Sequence, residues 1–188
     1  TYTEITVSPE DNAEVRRVSI TNHSSHVRIV ELTSYLEAVL LPGSEDAAHP
    51  AFSKLFVRTE FIKNPECILA SRRQRKPDQP PLWLLHTIAV EGENAIGDIQ
   101  YETDRMRFIG RNRSIDNPEA LEPDQPLSNS EGSVLDPIMS LRRRIRIEPG
   151  ETVRVVFSAA AALTKEQALE LAEKYNSCRN SERVFELS

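Results

Sequence analysis

The stretch Leu141-Arg-Arg-Arg-Ile-Arg-Ile147-Glu-Pro149-Gly150-Glu-Thr-Val153-Arg-Val155-Val-Phe157 decides how the chain is read. Leu141, Ile145 and Ile147 share one parity and Arg142, Arg144 and Arg146 the other, the period of two shown by a strand with one buried face. Pro149 and Gly150 suit the central positions of a type II turn, because proline fixes a negative φ and glycine tolerates the positive one that follows. Val153, Val155 and Phe157 then alternate back. The simplest reading is a β-hairpin whose three alternating arginines cover a solvated face and deter pairing at an open edge.

The same grammar extends upstream. Tyr2 to Val7 is rich in β-formers and is broken by Ser8, Pro9, Glu10, Asp11 and Asn12. Val18 and Ile20 precede a turn at Asn22-His23-Ser24-Ser25, after which Val30, Leu32, Leu36, Ala38 and Leu40 again share a parity. This predicts a long hairpin, stopped by Pro42 and Gly43, although Glu31 to Leu41 would also tolerate a helix by propensity. Past a loop ending near Pro50, β-rich stretches follow at 55–62, 67–73, 82–90 and 99–108, separated by Asn64-Pro65, Pro77 to Pro81, and Gly92 to Asn94. Short strands at regular intervals with no helix between them describe an all-β chain, an antiparallel sandwich or barrel.

Residues 111–137 carry Pro118, Pro123, Pro126 and Pro137 and no periodicity; a loop of that length inside a domain is functional or disordered. At Thr164 the character changes. Gln167 stands at capping-box spacing, and Ala168, Leu171, Ala172 and Tyr175 fall on one helical face. The chain therefore divides into a sandwich over 1–162 and the start of a helical segment over 163–188. The apolar Val184, Phe185 and Leu187 lead us to expect a piece of a longer protein, whose further helices would cover this one.

Composition narrows the function classes. The 188 residues are 39% hydrophobic and 28% charged, with a formal charge of -6, so the field of the whole chain repels polyanions. The arginine clusters lack interleaved aromatics for base stacking, and nucleic acid is not an expected partner. No apolar run is long enough to span a bilayer. Cys67 and Cys178 form neither a metal-ligand spacing nor a disulfide framework and point to a reducing compartment. His23, His26, His49 and His86 complete no zinc site, and there is no nucleophile elbow, phosphate loop or dinucleotide fingerprint. We therefore expect no catalytic residues, no metal and no cofactor in the chain itself. The Asn22-His23-Ser24 and Asn112-Arg113-Ser114 tripeptides are read as chance sequons.

Two arginine groups stand out. Arg72, Arg73, Arg75 and Lys76 cluster at a strand end, while Arg105, Arg107, Arg111 and Arg113 flank Phe108 and Gly110. A guanidinium fork offers directional hydrogen bonds to sugar hydroxyls, carboxylates or phosphate, so Arg73, Arg75 and Arg105 are the substrate-binding candidates. An internal ion pair of Arg105 with Asp104 is the competing structural reading. Trp83, within Leu82 to Leu85, reads as core rather than as a sugar-stacking platform.

Three runs carry a family likeness: His49-Pro-Ala-Phe-Ser-Lys-Leu-Phe-Val57, Tyr101-Glu-Thr-Asp-Arg-Met-Arg-Phe-Ile-Gly-Arg111, and Pro126-Leu-Ser-Asn129 leading to Leu135-Asp-Pro-Ile138. They resemble the N-terminal β-sandwich of glycoside hydrolase family 94, most closely in the phosphorylase-type region of the cyclic β-1,2-glucan synthases and more distantly in cellobiose and chitobiose phosphorylases. The resemblance implies a galactose-mutarotase-like supersandwich that precedes linker helices, with 163–188 as the start of the helical linker, and an (α/α)6 barrel. The barrel, absent from this sequence, would carry the acid that protonates the glycosidic oxygen while inorganic phosphate, a co-substrate of the parent enzyme, attacks the anomeric carbon.

The implied role of this chain is a non-catalytic support that shapes the acceptor-sugar side of the cleft. Arg73 matches an arginine reaching that side; Asp104, Arg105, Phe108 and Gly110 match a motif that braces the loop facing the barrel. Implied partners are a β-glucan oligosaccharide, the intramolecular barrel and a second copy in a homodimer, on the cytoplasmic side of an inner-membrane parent. The alternative is a freestanding carbohydrate-binding module whose 111–137 loop forms the binding surface.

Overall fold

The computed structural model describes residues 1–74 and 81–187, apart from the side chains of residues 50 and 51. Along the chain come strands β1 (Tyr2–Val7), β2 (Ala13–Thr21), β3 (Arg28–Thr33) and β4 (Leu36–Glu37), then helices α1 (Gly43–Ala48) and α2 (Pro50–Lys54). Strands β5 (Val57–Lys63), β6 (Glu66–Arg72), β7 (Trp83–Val90) and β8 (Ala95–Asp104) lead to the short helix α3 (Arg105–Ile109). After a 3-10 turn at Glu119–Leu121 come β9 (Gly132–Ser133), β10 (Pro137–Ile147) and β11 (Thr152–Ala162), and finally α4 (Lys165–Tyr175) and α5 (Cys178–Leu187).

Two antiparallel sheets face each other. The larger has the order β1-β2-β11-β7-β6-β5-β9; the smaller is built on β10, which pairs with β3, β4 and β8. Val57, Ile68, Ala70, Ile88, Val153 and Val155 of the first sheet meet Met139, Leu141, Ile145 and Ile147 of the second. The other face of the large sheet is covered too. Cys67, Leu69, Leu85, Val156 and Ala160 pack there against Ala168, Ala172 and Tyr175 of α4 and Val184 of α5. Its central strands are thus buried on both faces, which is why Cys67 to Ala70 and Leu85 to Ala89 do not show a clean alternation with polar residues.

The segment 141–157 forms the expected turn but not the expected hairpin. The Glu151 N–H donates to the Glu148 carbonyl (3.1 Å) across Pro149 and Gly150, whose φ is +76°. Yet β10 and β11 belong to different sheets, so this turn is an arch that carries the chain across the core. The expected hairpin around residues 22–25 is corrected in the same way, because β2 lies in the large sheet and β3 in the small one. The two arches run side by side and are tied together. The buried Asn22 amide donates to the carbonyls of His26 (2.8 Å) and Ile147 (3.0 Å), and its backbone exchanges bonds with Glu151 and Gly150. Alternation reports which face of a strand is buried, and the inter-sheet core satisfies it from either side.

Other expectations change locally. The single strand expected through Leu41 is broken into β3 and β4 and ends at Glu37, and the expected loop near Pro50 contains α1 and α2. The strand expected to reach Phe108 stops at Asp104, whose carboxylate accepts the Met106 N–H (2.9 Å) and caps α3. Arg142 is buried rather than solvated, whereas Arg144 and Arg146 are exposed. Helix α4 begins as read, with Thr164 Oγ1 accepting from the Gln167 N–H (3.1 Å), but its cover is the large sheet itself.

Strand registers set the polarity of the sandwich. Val57 opposes Arg72, Ser71 opposes Trp83, Trp83 opposes Ala162, and Asp104 opposes Pro137, so the segments 8–12, 38–56 and 105–136 all emerge at one end. Among the described residues the opposite end carries the short turns at 22–27, 64–65, 91–94 and 148–151.

Candidate functional site

The loop-bearing end is organised around a clamp drawn from four segments. Arg105, at the start of α3, donates through Nε to Tyr35 Oη (3.0 Å) and Glu37 Oε1 (3.2 Å), and its Nη1 lies 3.5 Å from Asp136 Oδ2. Lys54 at the end of α2 approaches Asp136 (2.8 Å) and Glu37 (3.4 Å), and Tyr35 Oη donates to Glu37 (2.8 Å). Two cations, two carboxylates and a phenol therefore neutralise one another. The Tyr35 hydrogen bond holds the Glu37 carboxyl below its ordinary range, with Lys54 and Arg105 acting in the same direction. Burial, then the Glu37 contact, pushes the Tyr35 phenol up to about 12. Burial works against the Lys54 charge, but Asp136 and Glu37 together outweigh it and raise its pKa.

A small satellite core seats the long loop beside this clamp. Phe108 and Ile109 of α3 pack with Ala120, Leu127 and Ile138, and Tyr35 lies 5.1 Å from the Phe108 ring. Gly110 ends α3 at φ +85°, and a Cβ there would fall 2.7 Å from the Glu119 Cβ, so both conformation and space require glycine.

The expected substrate-binding residues do not form one cluster. Arg73 is exposed at the end of β6; its N–H donates to the Phe56 carbonyl (3.0 Å), and it lines a cleft of about 350 Å³ with Leu40, Pro42, Leu82 and Leu163. Arg75 lies outside the described residues. Arg105 is engaged in the clamp, and its carboxylate partners are Glu37 and Asp136 rather than the neighbouring Asp104, which caps α3 instead. Arg73 and the clamp are linked through α2, because Arg72 donates to the Ser53 carbonyl next to Lys54. Arg107 and Arg111 are exposed on the same end.

Tyr35, Glu37, Lys54 and Asp136 are the members that reading the sequence missed. Lys54 and Asp136 lie inside the runs that carry the family likeness, but nothing in their spacing shows that the runs meet. Among the described residues no group of His, Cys, Asp and Glu could hold a metal ion, and no helix is long and apolar enough to cross a membrane. Burial pushes the thiols of Cys67 and Cys178 up to about 12 and about 11, so neither is a nucleophile near neutral pH.

Comparison with known proteins agrees with this architecture. The chain is 38% identical over 172 residues to the cyclic beta-(1,2)-glucan synthase NdvB of Rhizobium meliloti (strain 1021), covering 92% of the chain and 6% of that protein. It is 26% identical over 168 residues to the solabiose phosphorylase of Paenibacillus borealis, covering 89% of the chain and 20% of the relative. The chain thus spans a small part of the length of both. The model of the glycosyl hydrolase 94 supersandwich domain matches residues 1–178, through all the strands and α4, and on that match the chain belongs to the glycosyl hydrolase 94 family as its supersandwich domain.

Proposed function

We propose that this domain supports a catalytic (α/α)6 barrel on its loop-bearing end and forms the acceptor-sugar side of the barrel's cleft, without chemistry of its own. The observation that carries the reading is the clamp: the family-like runs converge there on a self-neutralised network, at an end that exposes Phe52, Leu55, Met106, Leu121 and Leu135. Exposed apolar side chains gathered at the end that carries a fixed polar network mark that end as a contact surface. Glu37, held ionised, has no proton to give a glycosidic oxygen at neutral pH. Arg73, exposed beside an open cleft, keeps its guanidinium available to sugar hydroxyls. The names of the two relatives, a cyclic beta-(1,2)-glucan synthase and a solabiose phosphorylase, favour a parent that uses a β-glucan oligosaccharide and inorganic phosphate; its place on the cytoplasmic side of an inner membrane is proposed from the family likeness alone.

The chain alone, incubated with inorganic phosphate and β-1,2- or β-1,4-linked gluco-oligosaccharides, is expected to release no sugar phosphate; turnover above background overturns the reading. Titration calorimetry with the same sugars separates the freestanding binding module, which would bind them without a neighbouring domain. In the longer protein that this reading requires, Arg73→Ala should raise the acceptor KM about tenfold while leaving kcat within about twofold, the sign of a lost ground-state contact.

A further inference from the structure

The segment 110–131 has little regular structure beyond its 3-10 turn, so its backbone polar groups need partners from elsewhere. Two buried charges supply them. Glu102 of β8, 2% exposed, accepts from the N–H groups of Thr103 and Asp104 (both 3.0 Å), from the N–H (3.3 Å) and hydroxyl (2.6 Å) of Ser128, and from the hydroxyl of Ser130. Arg142 of β10, 3% exposed, donates to the Thr33 hydroxyl (2.8 Å) and to the carbonyls of Gln125 (2.7 Å) and Ala120.

The register opposes Ser140 to Glu102 and Arg142 to Gln100, which places the two charged residues diagonally on one face of adjacent strands. Between them, Gln100 Oε1 accepts the Leu127 N–H (3.1 Å), while Asn129 exchanges backbone bonds with Tyr101 through its side-chain oxygen (2.8 Å) and its own N–H (2.9 Å). The carboxylate thus takes donors from the loop and the guanidinium takes its acceptors. Neither is neutralised closely: among the described residues Glu102 makes no ion pair, and the carboxylate nearest Arg142 is Glu31 at 3.8 Å. Taking two charges out of water is costly, and an apolar pair would serve a plain scaffold better.

We propose that Glu102 and Arg142 are positioning residues that latch segment 110–131 in one conformation, making it a fixed wall of the acceptor cleft rather than a moving lid. The wall's place in a cleft rests on the function proposed for this end of the domain; the latch does not. In Glu102→Gln, the amides of Leu127, Ser128 and Asn129 should exchange with solvent about tenfold faster or more, while those of β6, β7 and β11 keep their rates. Unchanged loop exchange overturns the latch, as does a rise shared equally by the sheets. Should that variant fail to fold, Ser128→Ala with Ser130→Ala removes the two hydroxyl bonds from the loop side, leaving of the loop's donors only the Ser128 N–H on Glu102, and is read in the same way. In the longer protein a released loop should raise the acceptor KM with kcat retained; release without a change in KM upholds the latch and removes this wall from the acceptor side, while a KM change with the loop still held overturns the latch.

Discussion

His86 is almost dry, and both of its ring nitrogens are engaged. Nδ1 faces the Ser158 carbonyl at 3.0 Å and must carry the proton, so Nε2 accepts from Ser34 Oγ at 2.7 Å. The Ser158 bond ties β7 to its neighbour β11, and the Ser34 bond ties it to the segment between β3 and β4, across the two sheets. Burial pulls the His86 pKa down to about 4, with Arg16 adding to the depression and the Ser158 bond opposing it. The unfolded chain therefore binds a proton that the folded one refuses: the stability is intact above an unfolded pKa of about 6.5 and is lost as pH falls toward the folded value. Between pH 7 and pH 5 the loss from this group should be about 2 kcal/mol in urea unfolding. His86→Gln should remove most of that difference; an unchanged slope in the variant would assign it to other groups. In the sequence His86 was one of four unremarkable histidines, because its environment comes from residues remote along the chain. The family likeness implies a structural role for Asp104 and Gly110, but the cap on Met106 and the Glu119 contact that explain them depend on a helix and a turn that no periodicity announces.

At the level of elements, the sequence exposed the strands and hid their partners. Parity placed Leu141, Ile145, Ile147, Val153 and Val155 correctly in one core, yet the two arms lie in opposite sheets. One signal bore on this: a type II turn does not match the twist of a tight hairpin, which favours the mirror-image turns, so Pro149-Gly150 argued for strands that diverge. Asn22 then fastens the paired arches. Asn22→Ala takes the side-chain donor from the Ile147 carbonyl and leaves the His26 carbonyl to the Ser24 hydroxyl, and the domain should lose about 1–3 kcal/mol of stability in denaturant melts with an unchanged m-value. Asn22→Asp should do no better, since an ionised carboxylate offers those carbonyls no hydrogen. A loss below about 0.5 kcal/mol would show that the arches hold without this side chain.

The whole molecule has three layers, and the third bears on where the domain ends. Composition places a boundary where β11 ends, with residues 163–188 read as the start of a linker. Packing sets α4 and α5 on the large sheet: Ala168, Ala172 and Tyr175 are fully buried there. Tyr175 Oη and Lys174 Nζ reach Asp11 at 2.7 and 2.6 Å, Lys165 reaches Glu60 at 2.7 Å, and Arg17 stacks over the Phe185 ring at 4.3 Å. Amphipathicity showed that α4 needed a cover without showing which surface provided it, because the apolar face of a central strand looks the same under a helix as under a second sheet. If the helices are the third layer of this core, a chain ending at Ala162 exposes Val15, Leu69, Leu85, Val156 and Ala160 together, an apolar patch larger than a soluble domain tolerates. That shortened chain should bind a hydrophobic dye and lose its cooperative melt, while the chain through Leu187 melts in one transition. A shortened chain that stays monomeric and melts cooperatively would return the helices to the linker and leave the two facing sheets as the complete folding unit.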